Sequence, residues 1–170
     1  MFLYPEYKSR DELEAFAKLL FEKLKSAIII DDNEIHIKCC IGISVIPEDC
    51  IDIETAIRYA DMAMYYCKNT GKQDYAFFEE IMELDLKEKI NIFRALEDAL
   101  LSDGFTVLYQ PQVSLNTGEV TGMEALLRLK KYSYNSMKFI KIAENEGLII
   151  SIGRKVTEIV VKQIADWLKN

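Results

Sequence analysis

One histidine, three prolines and seven glycines are all that 170 residues contain, and no apolar run approaches the roughly 18 residues that a helix needs to cross a bilayer. A membrane-spanning helix is therefore not expected. His36 has no second His or Cys at ligand spacing, which leaves it a structural or solvent-facing role and excludes a zinc-type site. A basic excess is also missing, since 21 Lys and Arg stand against 28 Asp and Glu for a net charge of −7. General binding to DNA, RNA or an anionic membrane is excluded with it, because each needs a dominant basic surface. The four cysteines, Cys39, Cys40, Cys50 and Cys67, show no C-x-x-C spacing and follow no signal-peptide pattern, so reduced thiols in a cytoplasmic setting are expected.

What is present is ample apolar material, 50% of residues, enough for one ordinary domain or two small ones. Ser9-Arg10-Asp11-Glu12 reads as a capping box, followed at helical spacing by Leu13, Phe16, Ala17, Leu20, Phe21 and Leu24. Alternation over Ile35, Ile37, Cys39, Ile41, Ile43 and Val45 predicts one long strand ended by Pro47, with Ile28-Ile29-Ile30 as its hairpin mate across Asp31-Asp32-Asn33. A second helix is predicted from near Asp52 through Ile57, Ala60, Ala63, Met64 and Cys67, stopping at Gly71, with Asp61 in a packing or local hydrogen-bonding role. After strand-like Tyr75-Ala76-Phe77-Phe78, residues 79–101 have helical period and no Pro or Gly before Gly104, which predicts a stiff helical link. Its buried side is expected to carry Ile81, Leu84, Ile90, Phe93, Leu96 and Leu100.

Two short buried strands are predicted next, with Phe105, Val107 and Tyr109 alternating before the turn Asn116-Thr117-Gly118. The second arm carries Glu124 and Arg128, four apart and so on one face of a strand. A carboxylate suits a hard divalent cation and a guanidinium suits a phosphate, a pairing fit for phosphodiester chemistry. From Arg128 to Lys141 run Arg128, Lys130, Lys131, Lys138 and Lys141 with no acid among them. Such a run serves as a solvated face more often than as a phosphate-recruiting surface.

The ordered set Tyr109-Gln110-Pro111, the hairpin, Glu124-Ala125-Leu126-Leu127-Arg128, Phe139-Ile140, Ile142-Ala143-Glu144, Gly147-Leu148-Ile149, Ile152-Gly153, Gln163 and Trp167 resembles the opening of an EAL domain, the module that hydrolyses cyclic di-GMP. By that resemblance Glu124 is a metal ligand for Mg²⁺ or Mn²⁺, Gln110 and Arg128 contact the dinucleotide, and Leu126 lines its pocket. The chain departs from the family after Arg128, with Leu129-Lys130-Lys131-Tyr132-Ser133-Tyr134-Asn135 where a Trp and a His-Pro loop are usual. Upstream, Ile41-Gly42-Ile43-Ser44, Pro47-Glu48-Asp49, Ala60-Asp61-Met62-Ala63-Met64-Tyr65, Lys68 and Gly71-Lys72 resemble the C-terminal half of a GGDEF domain, which makes cyclic di-GMP. There the resemblance places Lys68 and Lys72 against nucleotide phosphates, while helix-end electrostatics is the plainer account of both.

The resemblance implies an α/β (α+β) chain with three parts. Residues 1–78 would be a partial GGDEF domain with a ferredoxin-like palm of helix, antiparallel strands and helix; 79–103 a helical connector; and 104–170 the opening of an EAL barrel of TIM type. Phe2-Leu3-Tyr4-Pro5 matches the strand tail after the Gly-Gly-Asp-Glu-Phe signature, which would lie before residue 1. A whole (β/α)₈ barrel takes about 250 residues. The expectation is a truncated and catalytically inactive member of a phosphodiesterase family; the alternative is a non-catalytic cyclic di-GMP binding or protein-interaction module. Exposed sheet or barrel edges would favour self-association.

Overall fold

The computed structural model describes residues 1–25, 28–31, 33–35, 39–70 and 75–169. They form two compact units, residues 1–85 and 86–170, each with its own core.

The first unit opens with α1 (Arg10–Lys25). Its capping box forms in a shifted version. The Glu12 amide donates to Ser9 Oγ at 3.3 Å, while the Glu12 carboxylate accepts from the Lys8 amide at 2.8 Å. Residues 2–5 make no strand here: the rings of Phe2 and Tyr4 pack instead on Phe16 of α1, at 6.5 and 4.9 Å between centroids. Then come β1 (Ile28–Ile30) and β2 (Asn33–Ile35), an antiparallel pair with Ile28 opposite Ile35, as the hairpin signal predicts.

The single long strand is not found. β3 (Ile41–Ile43) is separate from β2, with Cys39 and Cys40 outside any strand, and it pairs with a different partner, β4 (Tyr75–Phe77), in parallel. A parallel pair needs a crossover, and α2 (Ile53–Thr70) supplies it. Alternation measures which face a residue occupies and says nothing about partner or direction. His36, Gly71 and Lys72 lie outside the described residues.

α2 buries Ala56, Ala63 and Cys67, whereas Ile57 and Met64 of the predicted stripe are exposed, as is Asp61. Small residues face the strands because the backbones come close. The Tyr59 ring stacks on Phe78 at 3.7 Å between centroids and 4° between planes. At the end of β3, Ser44 Oγ donates to the Ala56 carbonyl at 2.6 Å. Asp49 Oδ2 accepts from the Val45 amide at 2.7 Å, and Arg10 reaches this turn from α1, donating to Glu48 at 2.8 Å and Asp49 at 3.0 Å. Arg10, with help from Tyr7, holds the Glu48 carboxyl below its ordinary range.

α3 (Glu80–Leu101) begins in the first unit and runs on in the second. It is helical throughout, and the predicted buried stripe holds in the second half, at Phe93, Leu96 and Leu100, but not in the first. Ile81, Leu84 and Ile90 are exposed, while Met82, Ile92, Ala95, Leu96 and Ala99 are buried, with Phe93 and Leu100 partly covered. Counting only large residues misses a face whose alanines allow close approach.

In the second unit, β5 (Phe105–Val113) and β6 (Val120–Leu129) form an antiparallel hairpin, followed by α4 (Ser136–Asn145) and α5 (Ile149–Trp167). The strands are longer than expected and buried only at one end, through Phe105, Val107, Leu127 and Leu129. That end packs with Ile92, Leu96, Phe139, Ile142 and Ile152 into one core. Gly104 is buried against Ala99, and the Lys130 amide donates to its carbonyl at 2.8 Å, closing the base of the hairpin. Asn135 caps α4 by accepting from the Met137 amide at 2.9 Å. Gly147, at φ +74°, makes the left-handed turn between α4 and α5.

Candidate functional site

The hairpin turn closes with Gly118 at φ +72°, a left-handed position that glycine occupies without strain. Below it the register sets Gln110 opposite Glu124, Leu108 opposite Leu126 and Thr106 opposite Arg128. Because side chains alternate, these six share one face, and it is the face turned away from Phe105, Val107, Leu127 and Leu129. The four hairpin positions singled out in the sequence, Gln110, Glu124, Leu126 and Arg128, therefore come together on one surface. Thr106 and Leu108 were not singled out, although the alternation in the first arm places them there too.

Gln110, Glu124 and Leu108 are exposed, and Leu126 and Arg128 half-buried. Four residues of strand separate Glu124 from Arg128, about 13 Å at the usual rise. The two cannot grip the same phosphate; they flank Leu126 as the two ends of an elongated surface. Gln110 is the near neighbour of Glu124, since directly opposed residues stand about 5 Å apart. Arg128 Nη1 donates to its neighbour's carbonyl, Leu127 O, at 2.7 Å, which fixes the guanidinium at the strand end and leaves its other donors for a ligand.

The basic run does not act as one patch. Lys130 pairs with Asp103 at 3.0 Å, Lys131 with Asp98 at 3.6 Å and Lys138 with Glu88 at 2.6 Å. Lys130 holds the Asp103 carboxyl below its ordinary range by hydrogen bond and charge. Arg128 and Lys141 are the members without a carboxylate partner among the described residues. Lys68 lies exposed in the last turn of α2, in the first unit, where it meets the negative end of the helix.

A cation of the Mg²⁺ or Mn²⁺ type takes about six oxygen ligands, and a two-metal phosphodiester site needs several carboxylates. Among the described residues no group of three or more His, Cys, Asp or Glu is placed to hold a metal. Glu124 is the one carboxylate on the outward hairpin face. The residues present do not fit such a site by themselves.

The opposite face of the hairpin's far half meets α5. Tyr109 sets its ring edge-on to Trp167 at 4.8 Å, beside an open groove of about 410 Å³ lined by Met123, Ala125, Val160 and Ile164. The Tyr109 hydroxyl is buried there with no hydrogen-bond partner among the described residues. No helix among the described residues is long and apolar enough to cross a membrane.

Residues 1–74 match the family model described as diguanylate cyclase, GGDEF domain, and residues 94–170 match the EAL domain. Over 162 residues the chain is 34% identical to the cyclic di-GMP phosphodiesterase PdeR of Escherichia coli, covering 94% of this chain and 24% of that protein. It is 30% identical over 166 residues to MucR of Pseudomonas aeruginosa, a bifunctional diguanylate cyclase/cyclic di-GMP phosphodiesterase, covering 96% of this chain and 24% of that protein. Among solved structures, the S helix-GGDEF-EAL portion of Vibrio cholerae LapD, bound to c-di-GMP, aligns with 95% of this chain and 38% of its own, at 18% identity and a TM-score of 0.40. The chain thus spans about a quarter of the length of these curated relatives.

Proposed function

The chain belongs to the GGDEF–EAL proteins, and from that premise we propose that it serves cyclic di-GMP signalling, with the β5–β6 hairpin as its dinucleotide-binding surface. The observation that carries this reading is the register, which puts Gln110, Glu124, Leu126 and Arg128 on one outward face. Arg128 supplies charge-assisted hydrogen bonds to a phosphate, Gln110 a neutral contact, and Leu126 the apolar floor between them. The functional parts are residues 1–78, the connector 79–103 and residues 104–170.

These 170 residues bind without turning over, because Glu124 is one carboxylate where two-metal hydrolysis needs several. Chromatography of cyclic di-GMP incubated with the chain and excess Mg²⁺ or Mn²⁺ is expected to show no product. Hydrolysis that vanishes in Glu124→Ala would overturn this and assign a completed site.

Binding itself is the positive test. Calorimetric titration with cyclic di-GMP should show a complex that Arg128→Ala weakens by about 1.5–3 kcal/mol, the loss of a hydrogen bond to a charged group. Equal affinity in the variant, or equal affinity for unrelated nucleotides, would remove the hairpin face from the proposal.

Both faces of the hairpin and its open edges also favour self-association. Leu108, Val113, Val120 and Met123 are more than half exposed, and unpaired strand edges recruit further strands. Sedimentation over a range of concentrations should show dimers or larger species; a monomer at every concentration would refute this part.

A further inference from the structure

The loop that leaves the C-terminal end of β6 carries aromatic chemistry that the hairpin face itself lacks. Tyr132 and Tyr134 stack with ring centroids 5.6 Å apart and 15° between planes, an offset parallel pair. Tyr134 packs against the buried core of the second unit, whereas Tyr132 lies outside it and is 41% exposed. One face of the Tyr132 ring is thus covered by Tyr134, and that partner is anchored. The loop around them is tied at three points: Lys130 to Asp103, Lys131 to Asp98, and Asn135 to the first turn of α4. With both lysines engaged by carboxylates, the Tyr132 ring is the loop's exposed aromatic element.

Its place follows from the chain. Tyr132 is four residues beyond Arg128, at most about 14 Å of extended backbone, so both belong to the same end of the hairpin. A nucleotide whose phosphate meets Arg128 carries its base within reach of that loop. We propose that Tyr132 is a base-stacking residue, offering its ring to a purine of the dinucleotide while Tyr134 holds it in place from behind. This rests on the reading of the hairpin as a dinucleotide surface. It adds a preference for a ligand with an aromatic base over any other phosphodiester, and a tolerance among purines, since every base presents a π-face. The plainer role for Tyr132, shielding Tyr134 from water, predicts no effect on ligand affinity.

The test is calorimetric titration of the 170-residue chain with cyclic di-GMP, comparing the parent with Tyr132→Leu, Tyr132→Phe and Arg128→Ala. Stacking predicts that Tyr132→Leu binds about 5- to 150-fold more weakly, the range of one lost base–aromatic contact, and that Tyr132→Phe stays within about twofold. A parent-like Tyr132→Leu beside a weakened Arg128→Ala would overturn the stacking role while leaving the hairpin reading intact. Equal losses in the Leu and Phe variants would assign the hydroxyl and overturn it as well. No binding by the parent would end both readings together. Should Tyr132→Leu fold poorly, the parent suffices: its Tyr132 ring resonances must move upfield on adding cyclic di-GMP, and unmoved resonances in a formed complex would refute stacking.

Discussion

Gly42→Ala is expected to unfold the first unit at a markedly lower temperature than the parent. A Cβ at this position in β3 would stand 1.9 Å from the Ala60 carbonyl oxygen, 2.3 Å from the Met64 amide nitrogen and 2.8 Å from Met64 Cβ. Two of these are backbone atoms of α2, so no rotamer change relieves the clash and the helix must move off the sheet. α2 is the crossover of the parallel β3–β4 pair, and moving it opens the core of Ala63, Cys67, Ala76, Phe78 and Met82. Overpacking a tight core costs about 1–3 kcal/mol and sometimes more. A contact made with backbone belongs at or above the top of that range. For a unit of this size about 3 kcal/mol lowers the midpoint by roughly 12–24 °C. Amide exchange across α2, measured against temperature, reads this unit directly. Protection equal to the parent's would show that α2 and β3 do not pack this closely in solution.

Phe139→Ala should do comparable damage to the second unit. Phe139 is 1% exposed and belongs to the same core as Ile92, Leu96, Phe105, Leu127, Leu129 and Ile152, so it joins α4 to α3, the hairpin and α5 at once. Truncating a buried phenylalanine costs about 3–5 kcal/mol, part lost transfer energy and part cavity. A domain of this length has only about 4–13 kcal/mol in total. Trp167, the one tryptophan, sits against Tyr109 in this unit, and its fluorescence follows the transition without interference from the first. A urea midpoint unchanged from the parent would mean that the α4 anchor is dispensable. Because the proposed dinucleotide surface is the outer face of the same hairpin, the binding proposed for it should weaken as well.

Much of the candidate site was legible in the sequence because it is a local object. A β-hairpin is specified by two alternating arms and a turn glycine, and a strand's period of two puts Glu124, Leu126 and Arg128 on one face wherever the strand lies. The capping signal of α1 and the helical period of residues 80–101 are local in the same sense: both helices form where read, the cap in its shifted version. Motif order extended this to the family, since the Tyr-Gln-Pro and Glu-Ala-Leu-Leu-Arg segments keep their sequence and spacing.

Tertiary structure decided whatever depends on a partner distant in sequence. β3 alternates as part of one long strand, yet it pairs in parallel with β4, more than thirty residues away, because α2 can cover that pair only by crossing between its strands. The buried side of α3 turns to its alanines because close packing favours small side chains where helix and sheet meet, and large-residue counting cannot register that. The lysines after Arg128 form an uninterrupted basic run in sequence, but Asp98, Asp103 and Glu88 reach three of them from α3 and the turn after it. Charge is a property of composition, while the charge left available to a ligand is a property of neighbours, and the fold chooses the neighbours.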